Sequence, residues 1–179
     1  LGNGKLSDGS FWFEDKKGHW ITSSYYMDSL PGWTEEFNQK GLQEIYMNKY
    51  WDKLMPDSNY TKSLPDDNEA EEGFLLLYQK NFPYNLSVLK NKSRSYKYLK
   101  YTPFGNTYTK DFALSLIKNE KLGKDKHTDL LSLSFASSSY VNEIFGARSM
   151  EMEDLYLRLD KQLKHLLTFI DEELGRENV

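Results

Sequence analysis

The chain has no cysteine among its 179 residues. That removes disulfides, thiolate metal ligands and cysteine nucleophiles together. It has three histidines, His19, His127 and His165, so an imidazole-rich metal site or a histidine-based catalytic pair has few components to draw on. Basic charge is not in excess. The formal net charge is −4, which argues against a dedicated nucleic-acid binder. No run of about 18 apolar residues occurs, so no membrane span is expected. The first residues, Leu1-Gly2-Asn3-Gly4-Lys5, lack the apolar centre of a signal peptide and read as a cut inside a longer chain.

What is present suits a folded α/β chain. Hydrophobic residues make up 39% and charged residues 28%, a balance that supports one domain or one large piece of a bigger one. Aromatic residues reach 15% and can either fill a core or line a groove. Phe11-Trp12-Phe13-Glu14-Asp15 and His19-Trp20-Ile21-Thr22, joined through Gly18, read as a β-hairpin. Trp33 to Asn38 and Leu42 to Trp51 read as short helices. Pro56, Pro65, Asp66, Asp67 and Asn68 mark a long loop from Leu54 to Glu72. The stretch from Phe82-Pro83-Tyr84 to Lys100 reads as basic and irregular.

Regular structure resumes with a helix capped at Asn106 or Thr107 and running to about Leu122, with Gly123 as its stop. Thr128 to Phe135 reads as a strand able to lie inside a sheet covered on both faces. Ser149 caps a last helix reaching Leu174, with Gly175 beyond it. Met152, Leu155, Tyr156, Leu159, Leu163, Leu166, Leu167, Ile170 and Leu174 give it one apolar stripe, expected to face the core. Helix, strand, loop and helix in this order follow the grammar of a parallel sheet flanked by helices.

In open α/β sheets ligands collect beyond the carboxyl ends of the strands. Here that place is Ala136 to Ser149, expected to be a loop, with Ser137, Ser138, Ser139, Tyr140, Asn142, Glu143 and Arg148. Glu143 is its one strong metal ligand, and no histidine is tied to the serine run. A turn rich in serine needs no catalytic explanation.

The ordered set of motifs resembles the alkaline phosphatase superfamily, in its type I phosphodiesterase/nucleotide pyrophosphatase and PafA-like bacterial phosphatase groups. The residues that carry the resemblance are Phe11-Trp12-Phe13 with Thr22-Ser23-Ser24-Tyr25-Tyr26, Leu30-Pro31-Gly32-Trp33, Phe82-Pro83-Tyr84 and Thr102-Pro103-Phe104-Gly105-Asn106. They continue through Thr128 to Phe135, Tyr140-Val141, Phe145-Gly146 and Glu151 to Asp160. The resemblance implies a partial two-zinc phosphohydrolase fold in which a Thr or Ser attacks phosphorus. It also implies an exported or periplasmic location and a phosphoester substrate for the intact protein. The nucleophile and first metal ligand are expected before Leu1, and the later ligands after Val179. One family motif, Asp followed three residues on by His, falls inside the chain and aligns on Ser139 and Glu143. Neither residue is of the liganding type found there, so no metal role is carried over, and no cofactor is expected in this chain although zinc serves the intact family.

The resemblance also divides the chain into core-like parts, 1–26 and 101–179, with a cap-like insertion at 27–100. The expected function is a portion of a phosphohydrolase, inactive as this chain. The alternative is a binding module that uses Trp12, Trp20, Trp33, Tyr25 and Tyr26 to hold a glycan, a peptide or another subunit. Lys90, Lys92, Arg94, Lys97 and Lys100 alternate with tyrosines in a pattern that can follow a nucleic acid, but on an acidic chain a solvated face is the expectation. Asp66, Asp67, Glu69, Glu71 and Glu72 lack the spacing of a calcium loop. An incomplete sheet invites swapped pairing with a second copy.

Overall fold

A computed structural model describes residue 4 and residues 7–67, 71–74 and 76–179. Leu1, Gly2, Asn3 and Lys5 of the N-terminal stretch, and Asn68 and Glu69 of the acidic loop, lie outside the described residues. The hairpin forms as expected. Strand β1 (Trp12–Phe13) pairs antiparallel with β2 (Trp20–Ile21). Gly18, at φ 70°, makes the turn that side-chain-bearing residues rarely adopt. Helices α1 (Gly32–Gln39) and α2 (Leu42–Met47) follow. The second helix stops short of the expected Trp51 because Tyr50–Trp51 form strand β3, which pairs antiparallel with β4 (Tyr84–Asn85).

The basic stretch is more ordered than its composition suggests. Helix α3 (Leu86–Ser93) is capped by Asn85, whose side chain accepts the Ser87 N–H, and a 3-10 turn spans Lys97–Tyr101. Helix α4 (Pro103–Asn119) starts one turn earlier than expected, because Pro103 fits the first helical position and ends the preceding extended residue. The segment expected to be a loop, Ala136 to Ser149, contains helix α5 (Ser137–Phe145). Ser137, Val141 and Phe145 recur at every fourth position and all three are buried. That spacing outweighs the turn preference of the serines. Helix α6 (Met150–Leu174) matches its expectation, with the Ser149 hydroxyl accepting the Met152 N–H and Gly175 at its end.

The aromatic residues form one core. Trp20 stacks on Phe112 at 4.3 Å, and Phe37 and Trp33 close on the same ring at 5.2 Å. A second knot gathers Trp51, Phe74, Tyr84 and Phe145 at 5.2–6.4 Å. The two belong to one buried cluster that also includes Met47, Leu89, Leu99 and Leu155. Residues 27–100 therefore share a core with the flanking parts.

Two expectations are corrected. Thr128 to Phe135 forms no ladder among the described residues; Leu131, Leu133 and Phe135 are half-buried while the residues between them are exposed. Both two-stranded sheets among the described residues are antiparallel. The stripe of α6 is only partly core. Met152, Leu155 and Leu166 are buried against α4 and α5, but Tyr156, Leu163 and Leu167 lie exposed on its other edge. No described helix is long and apolar enough to cross a membrane.

Candidate functional site

The junction of the 128–135 segment with α5 is the place the sequence singles out. Its geometry begins with Gly105. A Cβ there would come within 2.7 Å of both the Leu99 carbonyl and Ser137 Oγ, so only glycine lets the start of α4 approach the start of α5 so closely. Asn106 follows, fully buried, and its Oδ1 accepts the Ser137 N–H at 3.2 Å. One of the free N–H groups at the head of α5 is thereby satisfied.

Ser139 and Glu143 then fall one turn apart on the same exposed face, with Asn142 beside them. The half-buried ring of Tyr140 packs 5.0 Å from Tyr101, and Lys100 Nζ lies 5.1 Å over it. Burial pushes the Tyr101 hydroxyl up, and the Glu143 charge adds to the effect. The face thus carries one hydroxyl, one amide, one carboxylate and two phenols. The spacing of Ser139 and Glu143 suits a pair of ligands on one helix face, but the donors do not. A serine hydroxyl keeps its proton near neutral pH, and a lone carboxylate makes a weak site for a borderline-soft cation. Among the described residues no three His, Asp or Glu side chains converge to hold a metal.

Other residues singled out from the sequence are placed differently. Lys90 pairs with Glu44, Lys92 donates to the Leu76 carbonyl, Lys97 covers Tyr98, and Lys100 pairs with Asp15 at 2.7 Å. Four of the five basic groups thus serve internal contacts rather than a continuous outward stripe. Trp20 is buried and Trp33 donates to Glu120 at 2.5 Å; Trp12 and Tyr25 are the exposed members of the aromatic set, and Tyr26 is half-buried. In the acidic loop Asp66 lies 3.6 Å from Lys53, and Glu71 is buried. His165 is exposed, with Nδ1 3.1 Å from Lys110 Nζ.

Sequence reasoning missed the carboxylates in the first two turns of α6, where each clasps a different segment of the chain. The Asp154 oxygens accept from Trp51 Nε1 at 2.7 Å, Tyr60 Oη at 2.6 Å, the Leu54 N–H at 2.8 Å and Arg158 Nε at 2.6 Å. Glu153 accepts the N–H groups of Thr61, Lys62 and Ser63 at 2.7–3.1 Å. Burial opposes its charge, but these donors outweigh it and hold the carboxyl below its usual range. Glu151 accepts from Tyr84 Oη at 2.5 Å. Burial is the largest influence on its acidity and pushes the group up to about 8. The signal was present: three acids directly after a Ser cap complement the positive end of a long helix.

No family model matches the chain. Individual proteins do. It is 40% identical over 177 residues to a protein of Myroides odoratus named calcium-transporting ATPase, covering 98% of this chain and 32% of that one. It is 36% identical over 178 residues to the alkaline phosphatase PhoV of Synechococcus elongatus, covering 99% of this chain and 32% of PhoV. The crystal structure of wild-type alkaline phosphatase PafA superposes with a TM-score of 0.91 at 38% identity, over 98% of this chain and 34% of PafA. The chain belongs to the alkaline phosphatase superfamily. It spans about a third of the length of the relatives it matches. Over that third the two folds superpose almost end to end.

Proposed function

We propose that this chain is the middle portion of an alkaline-phosphatase-like phosphohydrolase, and that it does not by itself hold zinc or turn over phosphoesters. The observation that carries the reading is the α5 face. Ser139 and Glu143 have the one-turn spacing at which the resemblance puts an Asp and a His, but they offer a hydroxyl and a single carboxylate. In the intact protein a phosphoester is the proposed substrate class, with phosphodiesters and pyrophosphates as the narrower candidates, and the periplasm or exterior as its place.

Two features of the fold support the view that a larger parallel sheet completes this portion. The 128–135 segment is unladdered, and with Phe11 and Phe13 it lines a groove of about 1500 Å³. The exposed edge of α6, with Tyr156, Leu163 and Leu167, offers apolar surface of the kind a sheet covers. Residues 27–100 are proposed as a cap-like insertion that shares the core. Pairing of the 128–135 segment with a second copy is the competing way to satisfy that edge, and sedimentation of the chain at rising concentration separates the two. A concentration-dependent dimer that Leu131→Pro abolishes would favour the second copy.

The experiment for the site compares the chain with its Ser139→Asp/Glu143→His variant. The variant is expected to bind zinc at least about tenfold more tightly, since it gains an imidazole and a carboxylate one turn apart. Neither protein is expected to hydrolyse p-nitrophenyl phosphate, because the resemblance puts the nucleophile outside these residues. Zinc-dependent turnover by the native chain, scaling with its concentration, would overturn the proposal.

A further inference from the structure

The first turn of α6 also buries a carboxyl group that the candidate site does not use. Glu151 is 0% exposed. Its Oε1 accepts the Tyr84 hydroxyl, and its Oε2 has no hydrogen-bond partner among the described residues. A carboxylate with an orphaned oxygen in a dry setting is expensive, whereas the neutral acid is not.

The surroundings deepen the asymmetry. Tyr84 faces Glu151 from β4. Glu71 and Asp66 face it from the loop segments between β3 and β4, and both add negative charge. Lys53 lies 3.6 Å from Asp66 and 2.7 Å from Asp57. Burial holds the Tyr84 hydroxyl far above its ordinary value, so it stays a neutral donor throughout the relevant range.

We infer that Glu151 is a pH-sensitive latch, which as a neutral acid lets residues 71–74 and strand β4 close onto the head of α6 and on ionising loosens that closure. The closure reaches the candidate site, because Ile144 of α5 accepts the Glu72 and Gly73 N–H groups at 3.0 and 3.1 Å. Loosening the segment frees the last turn of the helix that carries Ser139 and Glu143.

The direction follows from linkage. The closed form holds the Glu151 proton up to about pH 8, whereas a solvated glutamate releases it near its model value of 4.5. Below 4.5 both forms are protonated and the closed state has its full advantage. Between those values the advantage falls by up to about tenfold per pH unit, and above about 8 it falls no further.

Hydrogen exchange of the native chain tests the inference. After correction for intrinsic exchange rates, protection of the Glu72, Gly73 and Tyr84 amides should decline from pH 5 to 8 and level off above. The slope should vanish in Glu151→Gln and persist in Tyr84→Phe, which keeps the carboxyl. Flat protection in the native chain, or an unchanged slope in Glu151→Gln, would overturn the latch. Should Glu151→Gln fail to fold, the carboxyl-carbon resonance of Glu151 in the native chain decides. A midpoint above pH 7 supports the latch and one below 5 refutes it.

Discussion

Replacing Asp154 with alanine removes the acceptor on which three separate parts of the chain converge. The carboxylate is fully buried and binds Trp51, Leu54, Tyr60 and Arg158 at 2.6–2.8 Å. Alanine leaves an indole N–H and a tyrosine hydroxyl without their acceptor, takes one of the two acceptors of the Leu54 N–H, and strips the partly buried Arg158 of its counter-charge. Breaking a buried, hydrogen-bonded charge by removing one partner costs about 3–5 kcal/mol. For a chain of this size, with a urea dependence near ~2 kcal/mol per molar, the midpoint should fall by about 1.5–2.5 M. Urea unfolding followed by circular dichroism measures it directly. Asp154→Asn keeps one carbonyl acceptor and should lose roughly half as much. A midpoint within about 0.5 M of the native value for Asp154→Ala would refute the argument that this carboxylate ties the 51–60 segment to α6.

Other substitutions probe other parts of the fold. Phe112→Ala removes the ring on which Trp20, Phe37, Trp33 and Phe11 converge and should cost about 3–5 kcal/mol in the same assay. Glu44 is held down to about 2, first by the hydrogen bond from Lys90 and then by that from Tyr96. Its contribution is therefore present above pH 4.5 and is lost as pH falls toward 2, which Glu44→Gln should flatten in an acid titration. Because the Glu44 side chain is 42% exposed, solvent screening keeps this contribution to about 1 kcal/mol or less. Leu163→Glu and Leu167→Glu lie on the bared edge of α6. Each should change the stability of this chain by less than about 0.5 kcal/mol, and a loss above about 2 kcal/mol would show that the edge is covered.

The elements set by local chemistry were the ones legible in the sequence. The Gly18 hairpin, the Ser149 cap and the Gly175 stop each rest on a few adjacent residues, and all three stand where expected. Helix α5 was hidden because its serines favour turns, while the apolar spacing of Val141 and Phe145 is short. The β3–β4 pairing was hidden for another reason: Tyr50–Trp51 and Tyr84–Asn85 are far apart in the chain, and two-residue strands carry no alternation to detect. The α6 stripe, expected to face the core, is covered only in part, because periodicity says which residues share a face but not how much of that face a neighbour covers. At the site, the resemblance picked out Ser139 and Glu143, but that they share one face emerged only with helix α5. The acids of α6 were overlooked because acidic residues at a helix head are ordinarily solvated, and only the fold brings Trp51, Tyr60 and Tyr84 onto them.

The central claim concerns donor chemistry on the exposed face of α5, and calorimetric titration of the native chain with zinc at neutral pH tests it most directly. The account predicts no saturable one-to-one binding at micromolar zinc, and no difference between the native chain and Glu143→Ala. A stoichiometric site that Ser139→Ala or Glu143→Ala abolishes would contradict it.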